Sequence, residues 1–476
     1  MSNRLKQFCI VFRLKSTQLF IIAGAAILTL LITVLCIGFT MRYEVENEVA
    51  SMGDVDYWKD AVSAAQKIWY DKGIEELQRA MRVYTAQREP QHVHILLVHG
   101  VDAPMLAKAR FEAAEHANFV WDQFPHTARL KNSCSYSKPC DATQVFKALW
   151  TGLPLEAVQQ QEQQQRCGNQ TDVWQLQSIL RQAQLAGMRT GFITNQRITG
   201  ATAAALYAQS NWECDGLMPI AAIEAGCADV AQQLLTSATA QALNVIMGGG
   251  RQLLSANVPK LPADPLNELL CRARPGRNLL RDWRNQKLKL QPGSRFELVQ
   301  QASELAALNT SSLNYLLGVF ANGDLSRNRA APSLNLMLNK TLQLLQRPAV
   351  PHLLIAEHYI KQEAAALQQL RQLNQTVAEL LLQRDTLTLV LFTHGDYKRS
   401  NREVSEETEL VSTLEQAFDE SELQLQLRMQ QMPSESLLFA KGPKSLLFYG
   451  VHEETYLAQA LAYAMRINRY DHNYNN

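Results

Sequence analysis

A chain of 476 residues, 47% hydrophobic and 19% charged, is long enough to bury a large core, which excludes a disordered or highly charged protein. Its formal net charge of +1 excludes the strong positive field of a nucleic-acid binder. The balance is uneven: residues 1–41 hold Arg4, Lys6, Arg13 and Lys15 and no acidic residue, so the remainder is weakly acidic.

From Leu19 to Met41 the chain runs apolar and uncharged, matching the roughly 20 residues a helix needs to cross a bilayer. A cleavable signal would have a shorter apolar stretch ending in small residues, so this run predicts an uncleaved signal anchor. Basic residues precede it, while Arg42, Glu44, Glu46 and Glu48 follow. The positive-inside rule then puts 1–18 in the cytoplasm and 42–476 in the lumen or outside the cell. Four N-x-S/T sequons, at Asn169, Asn309, Asn339 and Asn374, lie beyond the span. Cys9 and Cys36 fall before or within the span. Cys134, Cys140, Cys167, Cys214, Cys227 and Cys271 would meet an oxidising compartment, where three disulfides in several pairings are open to them. The ending RINRYDHNYNN lacks the apolar tail of a GPI signal.

A helical stretch is expected from Tyr57 to about Arg88. After it, short apolar runs alternate with longer amphipathic ones. The expected strands are Val93–Val98, Thr190–Thr194, Asn244–Gly248, His352–Glu357, Thr386–Thr393 and Ser445–Tyr449. Mostly continuous rather than alternating, they read as parallel strands buried on both faces. Residues 364–384 predict a helix, with Leu367, Leu370, Val377, Leu380 and Leu381 on one face. The alternation predicts an α/β protein built on a mostly parallel, doubly wound sheet. The Gln-rich 158–165 reads as a surface loop or helix end, and the charged, Gln-rich 397–431 as an excursion from the core.

Several segments, taken in order, resemble the alkaline phosphatases across nearly all of residues 57–466. The first are YWKDA, HILLVHGVDAPMLAKAR and GMRTGFITNQRITGATAAALYAQSNWECD. NVIMGGGRQLL, RPGRNLLRDW, NYLLGVFANGDL, PHLLIAEHYI and TLTLVLFTHGD follow, and LLFAKGPKSLLFYGVHEETYLAQALAYAM closes the series. The resemblance implies that family's fold, a homodimer and a hydrolytic site for phosphate monoesters; a heterodimer with an active relative is a separate expectation. Such a site uses a serine nucleophile, a pair of zinc ions, a magnesium and a phosphate-binding arginine, because the nucleophile must be activated and the phosphoryl charge held.

Measured against that pattern, the sequence departs where the chemistry is concentrated. The aspartate linking zinc and magnesium falls on His99. The Asp-Ser-Ala nucleophile motif falls on PCDATQVF, placing Ala142 at the serine. The histidine before the downstream Ala-Thr falls on Gly200, and the phosphate-binding arginine on Ser210. The zinc-binding aspartate and last histidine of the Gly-Gly-Arg-Ile-Asp-His-Gly-His-His motif fall on Gln362 and Ala366. The aspartate of Ala-Asp-His falls on Thr393, and the final zinc histidine on Gln431 or a neighbour. Thr202 and Glu357 at magnesium and His394 at zinc keep competent residues.

A neutral Gln or Ala offers neither the charge nor the imidazole nitrogen that zinc requires. The family's two-zinc mechanism is therefore expected to be lost, leaving an inactive homologue that works by binding or dimerisation. The alternative is an active hydrolase with one metal at His99, Glu357 and His394, with His358 and Asp396 near in sequence. A one-residue shift of the nucleophile motif would put Asp141 at the serine. Asp141 followed by Gln144 also reads as the cap of a helix, and this reading is preferred. The resemblance further implies a Cys167–Cys227 disulfide, and Cys134 with Cys140 is a candidate local bridge.

Overall fold

The computed structural model describes residues 28–35, 66, 71, 73, 74, 77, 89–112, 119–131, 141–164, 177–210, 212–290, 293–360, 363–393 and 435–467. The chain divides into two units, Met1–Val55 with Met81–Ala86, and Asp56–Ala80 with Gln87–Asn476. In the first, residues 28–35 are helical, with Leu28, Leu30, Leu31, Ile32, Val34 and Leu35 exposed. Among the described residues no helix is long and apolar enough to cross a membrane. The rest of the expected anchor, 19–27 and 36–41, lies outside them.

The second unit is built on a 10-stranded sheet. Its strands are β1 His92–His99, β2 His126–Lys131, β3 Arg189–Arg197, β4 Val245–Gly249, β5 Phe296–Val299, β6 Tyr315–Val319, β7 His352–Tyr359, β8 Thr386–Thr393, β9 Ser436–Lys441 and β10 Gly450–Glu453. Their order is β10-β2-β9-β8-β1-β7-β3-β4-β6-β5. β9 pairs antiparallel with β2 and β8, and every other described pairing is parallel. The helices that matter below are α1 Ala142–Thr151, α2 Ala201–Tyr207, α3 Ala302–Ala307, α4 Leu334–Leu345, α5 Glu363–Leu380 and α6 Tyr456–Ala464.

The centre of the sheet follows from its sequence. β1 reads HVHILLVH and β8 reads TLTLVLFT, and apart from half-buried His92 every residue of the two strands is buried. Runs that are apolar on both faces can fold only where helices cover both sides. One face packs Leu96, Val98, Leu354, Ala356, Val390 and Phe392 with Leu370, Leu373, Val377 and Leu380 of α5. Those four α5 residues recur at helical spacing, as the periodicity predicts. α6, with sequence YLAQALAYA, is apolar nearly all round, and all of its residues are buried.

One expected strand is corrected. Ser445–Tyr449 is not extended: Ser445–Leu447 forms a 3-10 turn, and the strand β10 begins only at Gly450. Gly442 (φ 109) and Lys444 (φ 60) bend the chain through left-handed backbone just before it. A Cβ on Gly442 would sit 2.1 Å from the Thr386 carbonyl oxygen, so that bend needs glycine. The apolar run still does its packing, because Leu446, Leu447 and Phe448 are buried. Burial, not extension, is what a short apolar run encodes.

The Gln-rich segment forms the end of a helix, Leu155–Gln164. The excursion at 397–431 lies outside the described residues. Cys214 and Cys271 form a disulfide, beside which Arg277 pairs with Asp215 and Asp229. Cys227 is also disulfide-bonded, while Cys134, Cys140 and Cys167 fall outside the described residues.

Candidate active-site region and its relatives

Parallel strands place their carboxyl ends along one edge of the sheet, where sites in this class of fold form. β1 ends at His99, whose register partners are Thr393 at the end of β8 and Tyr359 at the end of β7. Two residues before Tyr359, Glu357 stands opposite Thr194 of β3. The helix α2, which follows β3, brings Thr202 to the same point.

These side chains form one closed cluster. The carboxylate of Glu357 can only accept hydrogen bonds. His99 Nε2 donates to its Oε1 at 2.9 Å, and Thr202 Oγ1 donates to the same oxygen at 2.5 Å. Thr194 Oγ1 donates to Oε2 at 2.5 Å. On the other side of the ring, His99 Nδ1 lies 2.8 Å from Thr393 Oγ1. His99, Thr194, Thr202, Glu357 and Thr393 are all buried. Burial alone would raise the Glu357 carboxyl; the hydrogen bond and attraction of His99, then the two threonine hydroxyls, outweigh it and hold it below the ordinary range.

The ring of His99 is fixed by packing as well. Phe146 of α1 meets it edge-on, with centroids 5.0 Å apart. The next residue, Gly100, has φ 78, and a Cβ there would lie 2.2 Å from the Ile360 carbonyl oxygen. Glycine thus lets the chain after β1 approach β7, and Ile360 N donates to the His99 carbonyl at 3.0 Å.

The remaining positions singled out in the sequence are placed as follows. Asp141 is the N-cap of α1, its Oδ1 accepting from Thr143 N at 2.8 Å and Gln144 N at 3.3 Å. Ala142 is the first residue of that helix. The positive end of α1 is therefore occupied by a carboxylate of the chain itself. Replacing Asp141 by alanine is expected to lower stability by about 0.5–2 kcal/mol, measurable by urea unfolding. Gly200 is the N-cap of α2 and offers no side chain. Half-buried Ser210 accepts from Trp212 N at 3.1 Å. Ala366 is a core residue on α5, packed in the main apolar cluster. Half-buried His358 bonds Gln369 at 2.9 Å, outside the cluster. Gln362, His394, Asp396 and Gln431 lie outside the described residues.

Two features escaped the sequence reading. Thr194 completes the cluster beside Thr393, and its signal was positional: a hydroxyl near the carboxyl end of a buried parallel strand. The second is Arg197, at the end of β3, which pairs with Glu213 at 2.5 Å and Asp324 at 2.6 Å. Burial opposes the charge on Arg197, but the two carboxylates more than offset it and hold the guanidinium protonated.

A ten-stranded, mostly parallel sheet with a polar cluster at its strand ends defines an α/β protein of the doubly wound class. The family model for alkaline phosphatase matches residues 92–390, and the chain belongs to that family. It is 26% identical over 480 residues to an alkaline phosphatase of Gadus morhua, covering 85% of this chain and 98% of that one. With the tissue-nonspecific isozyme of Mus musculus it shares 28% over 468 residues, covering 83% and 88%. A membrane-bound alkaline phosphatase of Bombyx mori matches at 27% over 289 residues, covering 56% of this chain and 51% of that protein. In fold, the alkaline phosphatase of the Antarctic bacterium TAB5 superposes with a TM-score of 0.51 at 14% identity, covering 80% of this chain and 99% of that one.

For the zinc pair and magnesium that the family resemblance implies, the described positions offer Thr202 and Glu357, while Gln362, His394 and Gln431 lie outside the described residues. Among the described residues no group of three or more His, Cys, Asp or Glu side chains could hold a metal ion. Glu357, the carboxylate kept at a magnesium position, already accepts from three protein donors on its two oxygens.

Proposed function

We propose that this chain is a membrane-anchored alkaline phosphatase homologue without phosphatase activity, acting by binding a partner or by dimerising. The anchor is the apolar run 19–41, with the body on the luminal or extracellular side. The observation that supports the reading most is the bonding of Glu357, whose carboxylate accepts from His99, Thr194 and Thr202 on its two oxygens. Ala142 at the start of α1 offers no nucleophile, and the Asp141 carboxylate takes up the helix terminus that would attract a phosphate.

The test is turnover of a generic phosphate monoester at alkaline pH with zinc and magnesium supplied. Neither the native chain nor its Ala142→Ser variant is expected to exceed the buffer blank, because a serine hydroxyl without an activating ion stays a weak nucleophile. Bound zinc is expected below roughly a tenth of an equivalent. Turnover that vanishes on changing His394 to alanine would instead establish the single-metal hydrolase at His99, Glu357 and His394.

A further inference from the structure

Three of the four sequons lie among the described residues, and the fold treats them differently. Asn374, on α5, is half-buried and structural: its Oδ1 accepts from Val120 N at 2.6 Å, tying the helix to a neighbouring segment. The hydroxyl residue of that sequon, Thr376, is buried and donates to Asn335 Oδ1 at 2.8 Å. Asn339 is exposed on α4, but its Thr341 is fully buried two residues on and donates to the Met337 carbonyl at 2.7 Å. In neither sequon does the folded chain bring the hydroxyl to the asparagine.

Asn309 is the contrary case. It sits in the short connection between α3 and β6, and both it and Ser311 are exposed. Its Oδ1 accepts from Ser311 Oγ at 2.7 Å and from Ser311 N at 3.2 Å. The residue between them, Thr310, is fully buried and donates to the Lys340 carbonyl at 2.8 Å, pinning the turn to α4. The sequon is thus held with its hydroxyl on the carboxamide oxygen, and both ends face solvent.

We infer that Asn309 is the N-glycan acceptor among these three sequons, carrying an oligosaccharide on the surface beside β6, while Asn374 stays unmodified. In the transfer, a bond forms between Asn309 Nδ2 and the anomeric carbon of a lipid-linked oligosaccharide. The sugar–pyrophosphate bond breaks, the lipid pyrophosphate leaves, and the amide nitrogen gives up a proton. The inference rests on the luminal placement of the body.

The experiment expresses the full chain in a secretory eukaryotic cell with a C-terminal extension bearing one added sequon as a topology reporter. Peptides are mapped after enzymatic deglycosylation in heavy-oxygen water, which marks each formerly modified asparagine. Asn309 and the reporter are expected to be marked and Asn374 not. Asn309→Gln and Ser311→Ala are each expected to remove one glycan step on a gel, and Asn374→Gln none. A marked reporter with an unmarked Asn309, or a glycan at Asn339 or Asn374 in its place, overturns the assignment. If neither Asn309 nor the reporter is marked, the luminal placement fails, and the glycan with it.

Discussion

Replacing His99 by leucine is expected to destabilise the domain by about 3–5 kcal/mol, because it strands a buried carboxylate. Glu357 lies inside the sheet, and His99 is the one ring that both donates to it and contacts β8. The two threonine hydroxyls remain in the variant, but they cannot balance a carboxylate removed from water. Neutralising the partner should undo much of the damage: His99→Leu with Glu357→Gln is expected to be markedly more stable than His99→Leu alone. Guanidinium unfolding of the native chain, the two single variants and the double variant measures the coupling. A coupling near zero would show that the pair does not hold the centre together. The same measurement weighs the metal reading, since a cation bound to the native state alone would raise its stability. Zinc or magnesium is expected to leave the native midpoint unmoved.

Acidification is expected to weaken the fold well above the carboxylate range. At the opposite end of the central strands, His94 and His352 are buried, their Nε2 atoms 2.9 Å apart. Such a contact needs one donor and one acceptor, so two imidazolium rings cannot make it. Burial, and then the charge of His92, lowers His94 to about 3. Burial first, then His94, His92 and Arg189, lowers His352 to about 2. The unfolded rings titrate near the ordinary imidazole value of 6.5, so between that pH and the folded values the unfolded chain binds more protons than the native state. Stability is therefore full above that value and falls as the pH drops toward the folded values, by about 1.4 kcal/mol per pH unit for each ring. Urea midpoints at pH 7 and pH 5 measure the slope. His94→Leu with His352→Leu should flatten it, and an unchanged slope in that variant would place the acid sensitivity elsewhere.

The central strands were legible because a parallel strand covered on both faces carries a continuous apolar stretch, as β1, β4, β7 and β8 do, while β3 offers only a short one around Phe192 and Ile193. β2 was not, since only Ala128 and Leu130 of its six residues are buried and no run announces it. β5 is equally short of apolar signal, with Val299 its one buried residue. β9 and β10 pair beyond β8, where one face is enough. At the site, the family pattern drew attention to His99, Thr202, Glu357 and Thr393, and these four converge. It could not show that Thr194 joins them on the other oxygen of Glu357. A hydroxyl looks the same in sequence whether it faces a core, a ligand or a carboxylate, and the sheet register decides which.

The bridge between Cys214 and Cys271 spans 57 residues, and β4 is synthesised between its two ends. Closing a loop of that length restricts the unfolded chain by about 4 kcal/mol. Protein made in a reducing cytosol forfeits that restraint and can unravel while its amino-acid sequence is correct. How durable a preparation is thus depends on the route of biosynthesis as well as on the gene.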